Sequence, residues 1–354
     1  MTDSWWRRPL AKPRRLRAGD RVAVVTPCWG GPAQFPDRYE AGRQYLATAF
    51  GVEIVEMPHA RRDDAWLYAN PDARAADLMQ AFADPSISAI IASTGGDDAI
   101  RLIPHVDLAV IRANPKIFLG YSDPTVLHFG CLKAGLGSFY GPAIMSGFAE
   151  NGGMSPLSEQ SFRETACRAE PIGVLPPNRE GWTDEHLAWS DPANQKRLRR
   201  RTPSQGIRTL RGQGCRRGHL LGGCAESLEF LKGSPWWPPA EHWDGAILFY
   251  ETSEEAPSAR QVLRWLRNFA AQGILQRLAG ILLARPAGMD AAQRAAQHDA
   301  VLKALDESGL TDLPVLADLD FGHTDPILTL PYGASAEIDC AAATLRILDA
   351  AVTD

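Results

Sequence analysis

Apolar and polar positions along the chain follow two alternating periods, one of strands and one of helices. After Gly19-Asp20, the run RVAVVTP (21–27) is a compact β-branched stretch closed by a proline and followed by Trp29-Gly30-Gly31, the pattern of a buried strand and its loop. Residues 38–50 have helical spacing, VEIVEMP (52–58) reads as a strand, 72–83 as a helix, and SAIIASTGG (88–96) as a strand ending in two glycines. DDAIRLIPHVD (97–107) is helical up to its proline, and KIFLGYS (116–122) is the next strand. Strands alternating with helices at this spacing predict a doubly wound, largely parallel sheet, with ligand sites beyond the carboxyl ends of its strands. Gly95-Gly96 and Ser122 both fall at such ends.

Residues 171–217 break the rhythm. PPNREGWTDEHLAW (176–189) is polar and aromatic, and QKRLRRRTPSQGIRTLRGQGCRR (195–217) is basic with turn residues, so the segment reads as a linker or an ordered insertion. A run such as Lys196, Arg197, Arg199, Arg200 and Arg201 is more often solvated than bound to a phosphate. Farther on, LLGGCAESLEFL (220–231) reads as a turn into a helix, GAILFYET (245–252) as a strand, 258–271 as a helix and LAGILLARP (278–286) as a strand. The closing stretch, 313–348, is rich in short strands and turns.

A chain of 354 residues exceeds what one core usually fills, so two domains are expected. The fold class is α/β: residues 1–165 form the doubly wound N-terminal domain, 166–218 a linker and substrate-side insertion, and 219–354 a smaller C-terminal α/β domain rich in short strands. The composition, 45% hydrophobic and 22% charged, excludes wholesale disorder, and a net charge of −5 gives no support for a nucleic-acid partner. The N-terminal stretch lacks the apolar segment of a signal peptide, and no uncharged apolar run is long enough to span a bilayer. A soluble, cytoplasmic protein without a membrane partner is therefore expected. The six cysteines include no CxxC pair, so neither a zinc knuckle nor a redox motif is indicated, and no metal or organic cofactor is expected.

Strand, sharp turn and helix around FLGYSDPTVLH (118–128) can present the Ser122 hydroxyl as a nucleophile, although the stretch lacks the G-x-S-x-G form and would also serve as an ordinary turn. A serine needs a base, and the base needs an orienting group. His128 falls on the buried side of the following helix. His323, in the glycine-flanked DFGHTDP loop, is free to face a cleft, though a plain turn histidine beside Asp325 fits the pattern equally. Glu251 ends an otherwise apolar strand, where a carboxylate is hard to place without a purpose. Glu254 and Glu255, by contrast, suit the acidic first turn of the next helix. Backbone N–H groups at Gly95, Gly96 and Asp123 are candidates for an oxyanion site, the glycines reading equally as a plain strand-to-helix turn.

These motifs, LRAGDRVAVVTP, STGGDDAIRLIP, FLGYSDPTVLH, FYGPA, AILFYETSEE, AGILLARP and DFGHTDPILTLPYGASAEID in that order, resemble the LD-carboxypeptidase family of serine peptidases, family S66. The resemblance implies a Ser-Glu-His triad at Ser122, Glu251 and His323, with oxyanion donors at Asp123 and the Gly95-Gly96 turn. One branch of the family trims D-alanine from murein tetrapeptides. The other, the microcin C immunity branch, hydrolyses the amide joining an acidic amino acid to a nucleotide, and ETSEE and the GWTDEHLAW insertion are similar to this second branch. There an insertion tryptophan stacks on adenine, a role carried to Trp182, with Trp189 as second choice. A homodimer and a small-molecule substrate, either an aminoacyl or peptidyl nucleotide or a murein peptide, follow from the same resemblance, as does a role in self-immunity or antibiotic resistance. A binding protein that keeps the fold without turnover is the alternative of another class. Cys224 and Cys28 depart from the family pattern, where asparagine and serine are common.

Overall fold

The computed structural model describes residues 9–354; the first eight, part of the N-terminal stretch read for a leader, lie outside them. The first strands in chain order are β1 (Arg21–Val25), β2 (Glu53–Glu56), β3 (Ile87–Ala92), β4 (Ile117–Gly120) and β5 (Phe139–Tyr140). They are followed by β6 (Gly173–Val174), β7 (Arg208–Arg211), β8 (Cys215–Cys224), β9 (Ala246–Glu251), β10 (Gly280–Ala284), β11 (Val315–Leu319), β12 (Leu330–Pro331), β13 (Ser335–Asp339) and β14 (Thr344–Ile347).

Two sheets form. The first has six strands in the order β12-β5-β4-β3-β1-β2; β1 to β5 run parallel and only β12 is antiparallel. The strand order reverses between β1 and β3, and a crevice beyond the carboxyl ends is the usual ligand site at such a switch point. The loops after β1, β3 and β4 all open there. Burial follows the period of two: Ala23, Val25, Ile90 and Phe118 face one core, while Val22, Val24, Ile91, Ile117 and Leu119 face the other.

The second sheet has eight strands in the order β6-β14-β13-β8-β9-β10-β11-β7, with a parallel centre, β8 to β11. Its apolar residues, including Leu221, Ile247, Phe249, Leu282 and Leu316, belong to the same core as one face of the first sheet, so the two halves share one buried interior. The chain then crosses between sheets: β11 lies in the second and β12 in the first, and residues 320–329 span the gap.

Three local readings change. The ten-residue strand β8 begins in the basic stretch at Cys215 and runs through the glycines into Cys224, which was read as a turn. Its first three residues are exposed, which hides the strand pattern. The segment after Gly95-Gly96 is a 3-10 helix, Ala99–His105, that accommodates Pro104 rather than ending at it. The helix after β9 is Ala259–Ala271, begun by a capping box between Ser258 and Gln261; its first turn therefore holds no acid, and Glu254 and Glu255 lie in the preceding turn.

Candidate active site

Ser122 sits two residues past the end of β4 with φ +68, a left-handed conformation that costs a non-glycine residue on the order of 1–3 kcal/mol. Neighbours hold it there. Its carbonyl accepts from the Thr125 N–H at 2.9 Å and from the Ser227 hydroxyl at 3.3 Å, and its own N–H donates to Tyr140 Oη at 3.1 Å. The turn thus lifts the Ser122 side chain clear of the sheet at the head of the helix Thr125–Ala134.

His323 lies in the middle of the crossing segment, and its Nε2 is 3.1 Å from Ser122 Oγ. Its Nδ1 is 2.7 Å from Glu251 Oε2, and the other oxygen of that buried carboxylate accepts from the Tyr140 hydroxyl. Tyr140, which the motif reading left without a role although FYGPA contains it, therefore ties the Ser122 backbone to Glu251. Gly322 is required beside His323: its φ is +85, and a Cβ there would come within 2.6 Å of Glu251 Oε2. The Tyr121 ring meets the imidazole edge-on, with centroids 5.0 Å apart.

Burial pulls the His323 imidazole toward its neutral form, but the charge and hydrogen bond of Glu251, with Glu254 and Glu226 beyond, outweigh it and push the pKa up to about 9. Glu254, placed by the sequence in a helix turn, instead puts Oε2 3.3 Å from His323 Nε2. Glu226 is half-buried; Oε1 accepts from the Ser253 N–H and hydroxyl at 3.0 and 2.9 Å, and Oε2 from the Cys224 thiol at 3.2 Å. Burial, then Glu251 and Glu226, raise that thiol's pKa well above normal, so Cys224 is a neutral donor here.

Gly95 is in contact with the Ser122 side chain: a Cβ there would lie 2.9 Å from Ser122 Cβ and 3.0 Å from its Oγ. Gly96 packs on Cys28 and Trp29, and the Trp29 N–H donates to Gly95 O at 3.2 Å. The buried Asp123 carboxylate accepts from the Ala99 N–H at 2.8 Å, tying the residue after Ser122 to the end of the glycine turn. Burial brings the Asp123 pKa up to about 6. His128 is a core residue: fully buried, it bonds Ser138 Oγ and Gly120 O at 2.9 Å each, and burial lowers its pKa to about 3.

The two insertion tryptophans are placed differently. Trp182 is buried, with the guanidinium carbons of Arg285 and Arg294 each 4.9 Å from its ring centroid. Trp189 is partly exposed, 5.0 Å from the Arg38 guanidinium and packed with Trp29 and Phe35, centroids 6.4 and 5.8 Å away. Trp29 lies beside the Gly95-Gly96 turn and went unremarked in the sequence except as a loop residue. Arg199 is not solvated: it bonds both Glu150 oxygens at 2.7 and 2.6 Å and also Asp325. Lys196, Arg197 and Arg200 are exposed, as the reading of that run expects. Among the described residues no three His, Cys, Asp or Glu side chains could together hold a metal ion, and no described helix is long and apolar enough to cross a membrane.

A hydroxyl, an imidazole and a carboxylate in series can pass the hydroxyl proton to Nε2 while Nδ1 stays held. With two α/β halves meeting over that relay, the chain has the architecture of a hydrolase of the carboxypeptidase kind. Models of the LD-carboxypeptidase N-terminal and C-terminal domains match residues 22–141 and 217–338, and the chain belongs to the LD-carboxypeptidase family, peptidase family S66. It is 29% identical over 332 residues to the microcin C7 self-immunity protein MccF of Escherichia coli, covering 93% of each chain. It is 26% identical to a Bacillus subtilis protein named "Probable murein peptide carboxypeptidase", covering 97% of this chain and 96% of that one. The solved structure of MccF with glutamyl sulfamoyl guanosine superposes with a TM-score of 0.85 at 27% identity, over 98% of this chain and all of the other. The MccF complex with aspartyl sulfamoyl adenosine gives a TM-score of 0.85 at 27% identity, over 97% of this chain and 100% of that one.

Proposed function

We propose that the chain is a serine amidase that hydrolyses the amide joining an amino acid to a nucleotide, through an acyl-enzyme on Ser122. The observation that carries the reading is the continuous relay from Ser122 Oγ through His323 to Glu251, at 3.1 and 2.7 Å, with the serine held on a left-handed turn. In this mechanism His323 Nε2 takes the Ser122 proton as Oγ attacks the carbonyl carbon, and the N–H groups of Asp123 and the Gly95-Gly96 turn receive the developing oxyanion. His323 then gives that proton to the leaving nitrogen. Water, deprotonated by the same Nε2, attacks the acyl carbon and frees Ser122.

The nucleotide side of the substrate is inferred from the MccF ligands and from the aromatic group at the mouth of the site. Of the two insertion tryptophans, Trp189 is the better placed to cover a planar base, because it is partly exposed beside Trp29, whereas guanidinium groups already lie against the ring of Trp182. The murein reading is favoured by the similarity to the Bacillus subtilis protein and uses the same relay. The intact hydroxyl, imidazole and carboxylate weigh against a binding protein without turnover.

The test is product mass spectrometry after incubation with aspartyl sulfamoyl adenosine and, separately, a murein tetrapeptide. Amino-acid release from the first supports the reading; release of D-alanine alone replaces it with the murein one. Ser122→Ala should lower turnover on the order of a thousandfold or more while retaining binding, and turnover near that of wild type would remove Ser122 from its role.

A further inference from the structure

One carboxylate at the reacting centre has no part in the relay. Glu254 Oε2 lies 3.3 Å from His323 Nε2, the same nitrogen that faces Ser122 Oγ at 3.1 Å, yet the Glu254 side chain is 77% exposed and has no other hydrogen-bond or ion-pair partner among the described residues. Both Ser122 Oγ and Glu254 Oε2 thus lie within 3.3 Å of one ring nitrogen, which puts the carboxylate close to a carbonyl carbon attacked by that hydroxyl. The charges that bear most on His323 come from three elements: Glu251 at the end of β9, Glu254 in the turn after it, and Glu226 in the helix Ala225–Leu231. All are carboxylates, and Tyr121, which packs on the imidazole, is neutral with its pKa raised by burial. Two buried or part-buried cations of the N-terminal half and the insertion are engaged elsewhere, Arg38 with Met145 O and Asn151, and Arg199 with Glu150 and Asp325.

We propose that Glu254 recognises an ammonium group carried on the acyl side of the scissile bond, either the α-ammonium or one on the side chain, and that this contact draws Glu254 away from His323. The proposal rests on the amidase reading above and adds what the acyl portion must carry. A bare carboxylate on that portion would meet like charge from Glu226 and Glu254, whereas an ammonium meets a complementary charge with two oxygens to accept its protons. Recognition is also coupled to the base. With Glu254 turned to the ammonium, the imidazolium loses one of the anions that stabilise it, its Nε2 proton passes to solvent, and the freed lone pair faces Ser122 Oγ. Substrate binding thereby readies the base.

The experiment compares aspartyl and lysyl sulfamoyl adenosine, each with a free and an acetylated α-amine, on wild type, Glu254→Gln and Glu254→Asp. Wild type should prefer free-amine substrates, and Glu254→Gln should reduce that preference about fivefold, through KM, with partial recovery in Glu254→Asp. A preference that follows the α-amine identifies the α-ammonium; one that survives α-acetylation only for lysyl identifies the side chain. The rise of kcat/KM with pH, which follows loss of the His323 proton, should move to lower pH in Glu254→Gln, since a negative charge beside the imidazolium is gone, and NMR titration of the His323 ring should move the same way without any substrate. If no nucleotide is cleaved, the amidase reading fails, and the same comparison on a murein tetrapeptide and its N-acetylated form decides the role of Glu254. An unchanged free-amine preference together with an unmoved His323 titration overturns the proposal.

Discussion

At the scale of single residues, the chemistry turns on one proton. In the proposed mechanism His323 must be neutral to accept a proton from Ser122, and with its pKa pushed up to about 9 it holds its proton at neutral pH. We expect kcat/KM to rise between pH 7 and 9 and level off above, measured against a substrate that does not itself titrate there. Stability runs the opposite way. A histidine whose folded pKa lies above its unfolded value near 6.5 stabilises the fold fully below that value and loses the contribution as pH rises through about 9. The melting temperature should therefore fall over the window in which activity climbs, and the fall should be smaller in His323→Gln. The paired tryptophans give a second prediction: Trp189→Ala should lower kcat/KM for an adenosine substrate about 5-fold to 150-fold, while Trp182→Ala should chiefly lower the melting temperature. Ser122, Glu251 and His323 stood out as candidates at a strand end or glycine loop, with an ordinary structural reading beside it for Ser122 and for His323, and it was the family resemblance that joined the three residues the structure brings together. The anchoring of Trp182 was not legible, because Arg285 and Arg294 lie about a hundred positions farther along the chain.

Among the elements, legibility follows how cleanly burial imposes a period. Strands β1, β3, β4, β9 and β10 are buried along nearly their whole length and read directly as apolar runs. The strand β8 was half lost because Cys215, Arg216 and Arg217 face solvent at its start. The helix Ala291–Glu307 was passed over because it packs largely through small residues such as Ala300 and Ala304 and also buries Gln297 and His298, so no apolar stripe marks it. Capping chemistry, rather than the position of acids, sets where the helix Ala259–Ala271 begins, which is why Glu254 was misplaced. The loop that carries His323 leaves no room for a side chain at Gly322. Gly322→Ala combines a positive φ with a 2.6 Å clash against Glu251 and should cost more than about 1 kcal/mol. Its kcat should fall further than its stability alone explains, as thermal melts and steady-state rates on the same preparation will show.

Across the whole molecule, the insertion is fastened by charge. Arg199 joins Glu150, from the N-terminal half, to Asp325, two residues beyond His323, and the Thr183–Asp325 bridge pins the same point. Arg199→Met would strand two largely buried carboxylates. The expected cost is about 3 kcal/mol, read as a lower melting temperature and faster proteolytic nicking of residues 176–205. The path of the segment 320–329 from the second sheet back to the first also bears on how the protein is made. Ser122 and His323 are 201 positions apart, and the histidine is fixed only when β12 returns to pair with β5. On the ribosome Ser122 is thus synthesised long before His323, and in the proposed mechanism a nascent chain, or a fragment broken off during translation, carries a serine without its base. On the proposed mechanism, hydrolysis therefore waits for the last strands to dock, and a chain that stops short of them should be inactive.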